Sequence, residues 1–192
     1  MTDSSTGGYL LPTSPAPIND AALDQLFQTF ISSITGLAPK YVRERFTAEP
    51  APPPDYGSTW AAVGVMSIED DQFAQQEMRP DDSYVLTRHE ILDVMASFYG
   101  ARAQEAARRA RNGTLIAQNR EVLEAAGLFF MSAAQPVKAP ALIQNRWTHR
   151  IDVTFTFRRA IAETFAILPI ASAQGTIADD GTAETTFDTT RS

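Results

Sequence analysis

The sequence predicts an α+β fold: a mostly antiparallel sheet of long strands backed by two or three helices, with an extended N-terminal arm and a flexible C-terminal tail. Three observations predict it. "RWTHRIDVTFTFRR" (146–159) sets Trp147, Ile151, Val153, Phe155 and Phe157 on one face of an extended chain and Thr148, Arg150, Asp152, Thr154, Thr156 and Arg158 on the other. That period of two is a strand with one buried side, longer than the usual ~5–6 residues. "YVLTRHEILDVMASFYG" (84–100) is a second strand of similar length. Leu23, Leu26, Phe27, Phe30, Ile31 and Ile34 recur instead at helical spacing.

Element by element, residues 1–18 are rich in Ser, Thr, Gly and Pro and end in "PTSPAPI", an extended arm. Tyr9, Leu10 and Leu11 make it unusually apolar, so it either docks on a neighbour or is a loose end. Asn19 or Asp20 caps the first helix and Gly36 stops it. "KYVRERF" (40–46) alternates as a strand, "EPAPPPDYG" (49–57) is a proline-rich connection, and "STWAAVGVMSI" (58–68) is a strand with small residues for close packing. Residues 69–83 read as an acidic loop with the pairs Asp70-Asp71 and Asp81-Asp82, followed by the strand ending at Gly100. Residues 101–113, rich in Ala and Arg, are helical by propensity, as is "AQNREVLEAAG" (117–127). "LFFMSAAQPV" reads as a strand, the long strand occupies about 146–161, and "TFAILPIASAQGTI" (164–177) supplies the last. The domain reading is an arm over 1–18, one α+β domain over 19–178 and a flexible tail over 179–192.

Composition narrows the function. In 192 residues, an apolar fraction of 44% with eleven Phe and two Trp fills a core. A net charge of −7 argues against a protein devoted to gripping nucleic acid through its phosphates. With no cysteine there are no disulfides, no thiol catalysis and no thiolate zinc site. No apolar run reaches the ~18 residues of a membrane helix, and no signal peptide is expected at the N-terminus.

Catalytic signals are equally sparse. The two histidines, His89 and His149, each fall inside an expected strand, with no third ligand to complete a metal site. The acidic pairs 70–71, 81–82 and 179–180 lack the spacing of a calcium loop and read as solvated turns. No G-x-S-x-G, S-x-x-K, G-x-G-x-x-G or phosphate-binding loop occurs. The one basic concentration is Arg102, Arg108, Arg109 and Arg111 with Arg120 beyond, either a solvated helix face or a DNA-facing patch. Arg158-Arg159 closes the long strand, facing a neighbouring subunit or an acidic surface. Neither enzyme, metal nor cofactor is expected.

Several stretches, taken in order, resemble the neck or tail terminator proteins of tailed bacteriophages, particularly the contractile-tailed kind. They are "GYLLP" (8–12), "ITGLAPKYVRERF" (34–46), "TWAAVGV" (59–65), "LTRHEILDVMASFYG" (86–100), "QNREVLEAAGL" (118–128), "RWTHRIDVTFTFRR" (146–159) and "ASAQGTI" (171–177). The chain departs from the family pattern at Glu44-Arg45-Phe46 and at Ala162-Glu163. The resemblance implies a subunit that assembles with its own copies into a ring, usually of six. Such a ring caps the tail tube, ends its growth, meets the sheath and offers a surface to the head–tail connector or adaptor protein. DNA would pass through the lumen without specific binding, and an acidic channel would keep it from sticking. The implied location is the virion neck, after assembly in the host cytoplasm, with no membrane involved. The expected contacts are Tyr9, Leu10 and Leu11 of the arm, Asp70, Asp71, Asp81 and Asp82 of the acidic loop, and Arg158 and Arg159. Competing readings are another head–tail adaptor or tail tube subunit, a nucleic-acid-binding module using residues 102–111, and an enzyme centred on a histidine.

Overall fold

The computed structural model describes residues 4–5, 7–47, 52–55, 57–80, 83–168, 172–178 and 184–190. Asp81 and Asp82 lie outside them. The chain divides into two compact units, one of Ala16–Ala74 with Thr87–Ile161 and the other of Met1–Pro15, Gln75–Leu86 and Ala162–Ser192.

The larger unit is an α+β layer structure. Its helices are α1 (Asp20–Thr35), α2 (Ala103–Thr114) and α3 (Ala117–Ala125). Its sheet runs β1 (Val42–Glu44), β2 (Trp60–Asp70), β4 (Tyr84–Tyr99), β9 (Arg150–Phe165), β5 (Phe129–Ala133), and β6 (Val137–Lys138) also pairs with β9. The numbering leaves β3 for Gln75–Met78, which pairs with β4, and β7 (Ala141–Ile143) and β8 (Arg146–Thr148) for a separate hairpin. β1 joins β2 in parallel, while β2–β4, β5–β9 and β6–β9 are antiparallel.

Alternation decides which face of the sheet is covered. Ala61 and Val63 of β2, Leu92, Val94, Ala96 and Phe98 of β4, and Ile151, Val153, Phe155 and Phe157 of β9 are buried against the helices. α1 answers with Leu23, Phe27, Phe30 and Ile31, an apolar stripe at i, i+4, i+7 and i+8. α2 contributes Ala103, Ala106, Ala107 and Ala110, whose small side chains let two helices lie over one sheet. Gly36 closes α1 in the left-handed region at φ 73°, donating its N–H to the Ser32 carbonyl at 3.0 Å. α1 is also tied to the sheet: the register of β2 shifts between Val65 and Ser67, and the Val65 N–H donates to Asp24 Oδ1 at 2.9 Å.

Gly100 makes the turn from β4 into α2. Its φ is +98°, its N–H donates to the His149 carbonyl at 3.0 Å, and a Cβ there would stand 2.3 Å from the Ser58 carbonyl oxygen. Gly100→Ala therefore combines an unfavourable backbone with a clash against main chain. The expected loss is about 2 kcal/mol, read as a lower denaturation midpoint; a shift under a few tenths would show that the turn relaxes freely.

The smaller unit holds β3, whose hairpin toward β4 is closed by Arg79 N–H to the Ser83 carbonyl at 2.9 Å and Tyr84 Oη to Gln76 Oε1 at 2.7 Å. β10 (Ser172–Ala178) pairs antiparallel with β11 (Glu184–Thr190). The arm lies along residues 164–168: Thr13 N–H donates to the Thr164 carbonyl at 2.7 Å, and Thr164 N–H to Ser14 Oγ at 3.1 Å.

The expectations differ from the structure at several places. The strand expected at 40–46 begins with a 3-10 turn over Pro39–Tyr41, because Pro39 starts a helical turn more readily than a ladder. The acidic loop expected over 69–83 is partly strand, its first two residues ending β2 and Gln75–Met78 forming β3. The long strand expected at 146–161 breaks at His149. Gln144 and Asn145, at φ 50° and 59°, form a two-residue turn that folds β8 back on β7. Trp147 therefore leaves the core face and is 72% exposed. The strand expected over 164–177 is divided between the end of β9 and β10, and β11 falls within the segment expected to be a tail.

Candidate assembly surface

The face of the large unit's sheet away from the helices carries a built polar and aromatic array. Alternation that buries Phe98 and Val153 turns Ser97, Tyr99, Arg150 and Asp152 the other way. Arg45 donates through Nη2 to Ser97 Oγ, and Ser97 Oγ donates to Asp152 Oδ1. Arg150 grips Asp152 with two bonds of 2.8 Å each. The Arg150 guanidinium lies 5.7 Å from the Tyr99 ring, which stacks on Trp60 at 4.1 Å and 8°. On the outer side Arg43 stands 5.8 Å from Trp60.

The charges on this face are held firmly. Burial lowers the pKa of Arg45, with Tyr99 and Asp152 raising it and Arg150 lowering it further. The Asp152 hydrogen bonds raise that of Arg150. Both remain cations at neutral pH. Arg45 Nε is buried without a hydrogen-bond partner among the described residues. The array opens on a groove of about 600 Å³ lined by Lys40, Arg43, Trp60, Tyr99 and Ile143 among others. Arg, Trp and Tyr are the residues that interface centres favour. Sequence reasoning missed this array; its signal was the polar half of the same alternation that marked the strands.

Other surfaces are less organised. Tyr9 is 99% exposed, Leu11 77%, and Leu10 is half-buried. Asp70 and Asp71 are exposed at the end of β2, with Asp70 paired to Arg88 at 3.1 Å. Arg158 is exposed, whereas Arg159 is buried and makes its contacts inside its own chain. Its Nε donates to Glu90 Oε2 at 2.6 Å, its Nη2 to Asn19 Oδ1 at 2.7 Å and its Nη1 to the Ile18 carbonyl at 2.5 Å. Arg159 therefore serves the fold, for the reason that it shares strand parity with Phe155 and Phe157.

Nothing catalytic gathers among the described residues. His89 is half-buried on β4 and His149 is exposed at the joint between β8 and β9. No three His, Cys, Asp or Glu side chains converge to hold a metal among the described residues. No described helix is long and apolar enough to cross a membrane.

A family model described as phage neck terminator protein matches residues 21–183. The chain belongs to that family. The match takes in α1 from its second residue, α2, α3 and every strand of the large unit, and the array around Trp60 and Tyr99 lies within it. A neck terminator protein is a structural phage component with a head–tail joining role. No curated protein matches the chain.

Proposed function

We propose that this neck terminator subunit assembles with its own copies into a ring of six that caps the tail tube, ends tail elongation and joins the tail to the head connector. The observation that carries the reading is the family match, which covers the whole helix-backed sheet. The sheet face away from the helices supports it: Trp60, stacked on the buried Tyr99 and flanked by Arg43, borders a groove whose aromatic and guanidinium lining suits a protein contact. A head-to-tail contact between unlike surfaces closes into a ring when the rotation between copies closes. Tyr9, Leu10 and Leu11 of the arm, Asp70 and Asp71 of β2 and Arg158 of β9 are the further contacts we assign to this assembly. Asp81 and Asp82 are assigned with them on sequence grounds alone. In a contractile tail the ring also meets the last sheath ring, and DNA passes through its lumen without base-specific contact.

The test is light scattering on the purified protein with and without tail tubes, followed by negative-stain imaging. Rings on tube ends and tubes of fixed length are the expected result, and deletion of residues 1–17 should weaken ring formation. Protein that stays monomeric beside tubes of uncontrolled length would refute the reading.

A further inference from the structure

The arginines of α2 point in two directions. Arg102 and Arg109 both close on Glu105, at 2.7 and 2.8 Å, and Arg109 also reaches the Thr35 carbonyl at 3.4 Å. Arg108 and Arg111, three residues apart and so neighbours on the helix surface, line a different cleft of about 470 Å³. Lys138 enters the same cleft from β6, and Gln104 and Asn112 add neutral amides. Among the described residues the side chains of Arg108, Arg111 and Lys138 make no ion pair and no hydrogen bond. Glu105 borders the cleft, but its carboxylate is already taken. The Arg102 hydrogen bond above all, with lesser help from the charges of Arg102, Arg109 and Arg108, holds its pKa below the usual range against desolvation.

A chain of net charge −7 thus leaves three cations unpaired in one concave site. We propose that this cleft binds the phosphodiester backbone of duplex nucleic acid, without reading bases. One carboxylate is satisfied by one guanidinium fork, whereas two forks, an ammonium and two amides match successive phosphates with paired free oxygens. The cleft has no aromatic ring on which an unpaired base would stack, which favours a duplex over a single strand. Its apolar lining is Pro136 and the buried Ile151, too little to seat the side chains of a peptide. Contacts confined to phosphates carry no sequence information. The inference is separate from the ring reading, because it is tested on the purified chain in whatever state it adopts.

The test is fluorescence anisotropy with a short mixed-sequence DNA duplex across a salt series. Three phosphate contacts give a log–log salt slope of about −2.7, or roughly 40-fold weaker binding between 50 and 200 mM salt. R108A/R111A/K138A should abolish that slope, whereas R109A should keep it. R108A alone, at an exposed position, should reduce the slope by about 0.9 and guards against misfolding of the triple variant. An unchanged slope in the triple variant, or no duplex binding by the wild type at 50 mM salt, overturns the proposal. So does competition by poly-glutamate equal to that of duplex at matched charge, which would make the occupant an acidic polypeptide.

Discussion

Phe157→Ala is expected to destabilise the large unit by roughly 3–5 kcal/mol, the range for deleting a buried phenyl ring and leaving a cavity. Phe157 is 1% exposed and sits on β9 where both α1 and the edge strand meet the sheet. Its ring centroid lies 5.0 Å from Phe27, 6.5 Å from Phe30 and 5.8 Å from Phe130, tilted or edge-on to each. Such aromatic pairs add to the value of the buried area itself, and alanine removes three of them at once. The surrounding groups are held by a helix on one side and by strand pairing on the other, so collapse into the void is limited. Guanidinium denaturation of the wild type and variant reads the loss as a lower midpoint with an unchanged slope. Phe129→Ala, one residue from Phe130 but 55% exposed, should shift the midpoint by well under half as much. Equal losses at the two positions would mean that the aromatic cluster is not the centre of the core.

Residue spacing alone exposed α1, β4 and much of β9, because each is long enough for its period to repeat several times, whereas α2 rested on the helix propensity of its Ala and Arg residues. Leu23, Phe27, Phe30 and Ile31 announce a helix before any partner is known, and Ile151 to Phe157 announce a strand. The break at His149 was not legible. Trp147 keeps the parity of Ile151, and the turn that diverts it is made by Gln144-Asn145 at positive φ instead of the Asn-Gly that usually signals such a turn. At "ETTFDTT" acidic and hydroxyl residues carry no strand period, and β11 is marked only by its pairing with β10, a tertiary fact. The array from Arg45 to Trp60 gathers the polar positions of β2, β4 and β9 with Arg45 beyond β1; alternation marks those positions one strand at a time, and only the fold brings them together. Contacts with partner proteins of any kind lie further still from a single sequence. They depend on surfaces that meet only after folding, so Tyr9, Leu11 and Arg158 are exposed by the fold without being assigned by it.

Arg159 shows what that distance costs and provides the other large effect: Arg159→Met should lower stability by roughly 3–5 kcal/mol, since removing one partner leaves the other charge buried and uncompensated. The Arg159 and Glu90 side chains are only 7% and 12% exposed, joined at 2.6 Å between β9 and β4. The same guanidinium holds the Ile18 carbonyl and Asn19 Oδ1 at the entrance to α1. Asn19 occupies the N-cap position but makes no side-chain capping bond, because its oxygen already accepts from Arg159. One side chain thus fixes two central strands and the start of the main helix. Methionine keeps much of the volume and forfeits all of the bonds. Glu90→Leu added to Arg159→Met should recover most of the loss, because an apolar pair leaves no orphaned charge, and Asn19 is then free to cap α1, worth about 1 kcal/mol. The double-mutant cycle separates the pair from its surroundings. Limited proteolysis supplies a second reading: cleavage near Ile18 should accelerate in Arg159→Met and remain fast in the double variant, since neither restores the bond to the Ile18 carbonyl. A loss below 1 kcal/mol with unchanged cleavage would show that water replaces the guanidinium readily, and that the order of the chain entering α1 comes from elsewhere.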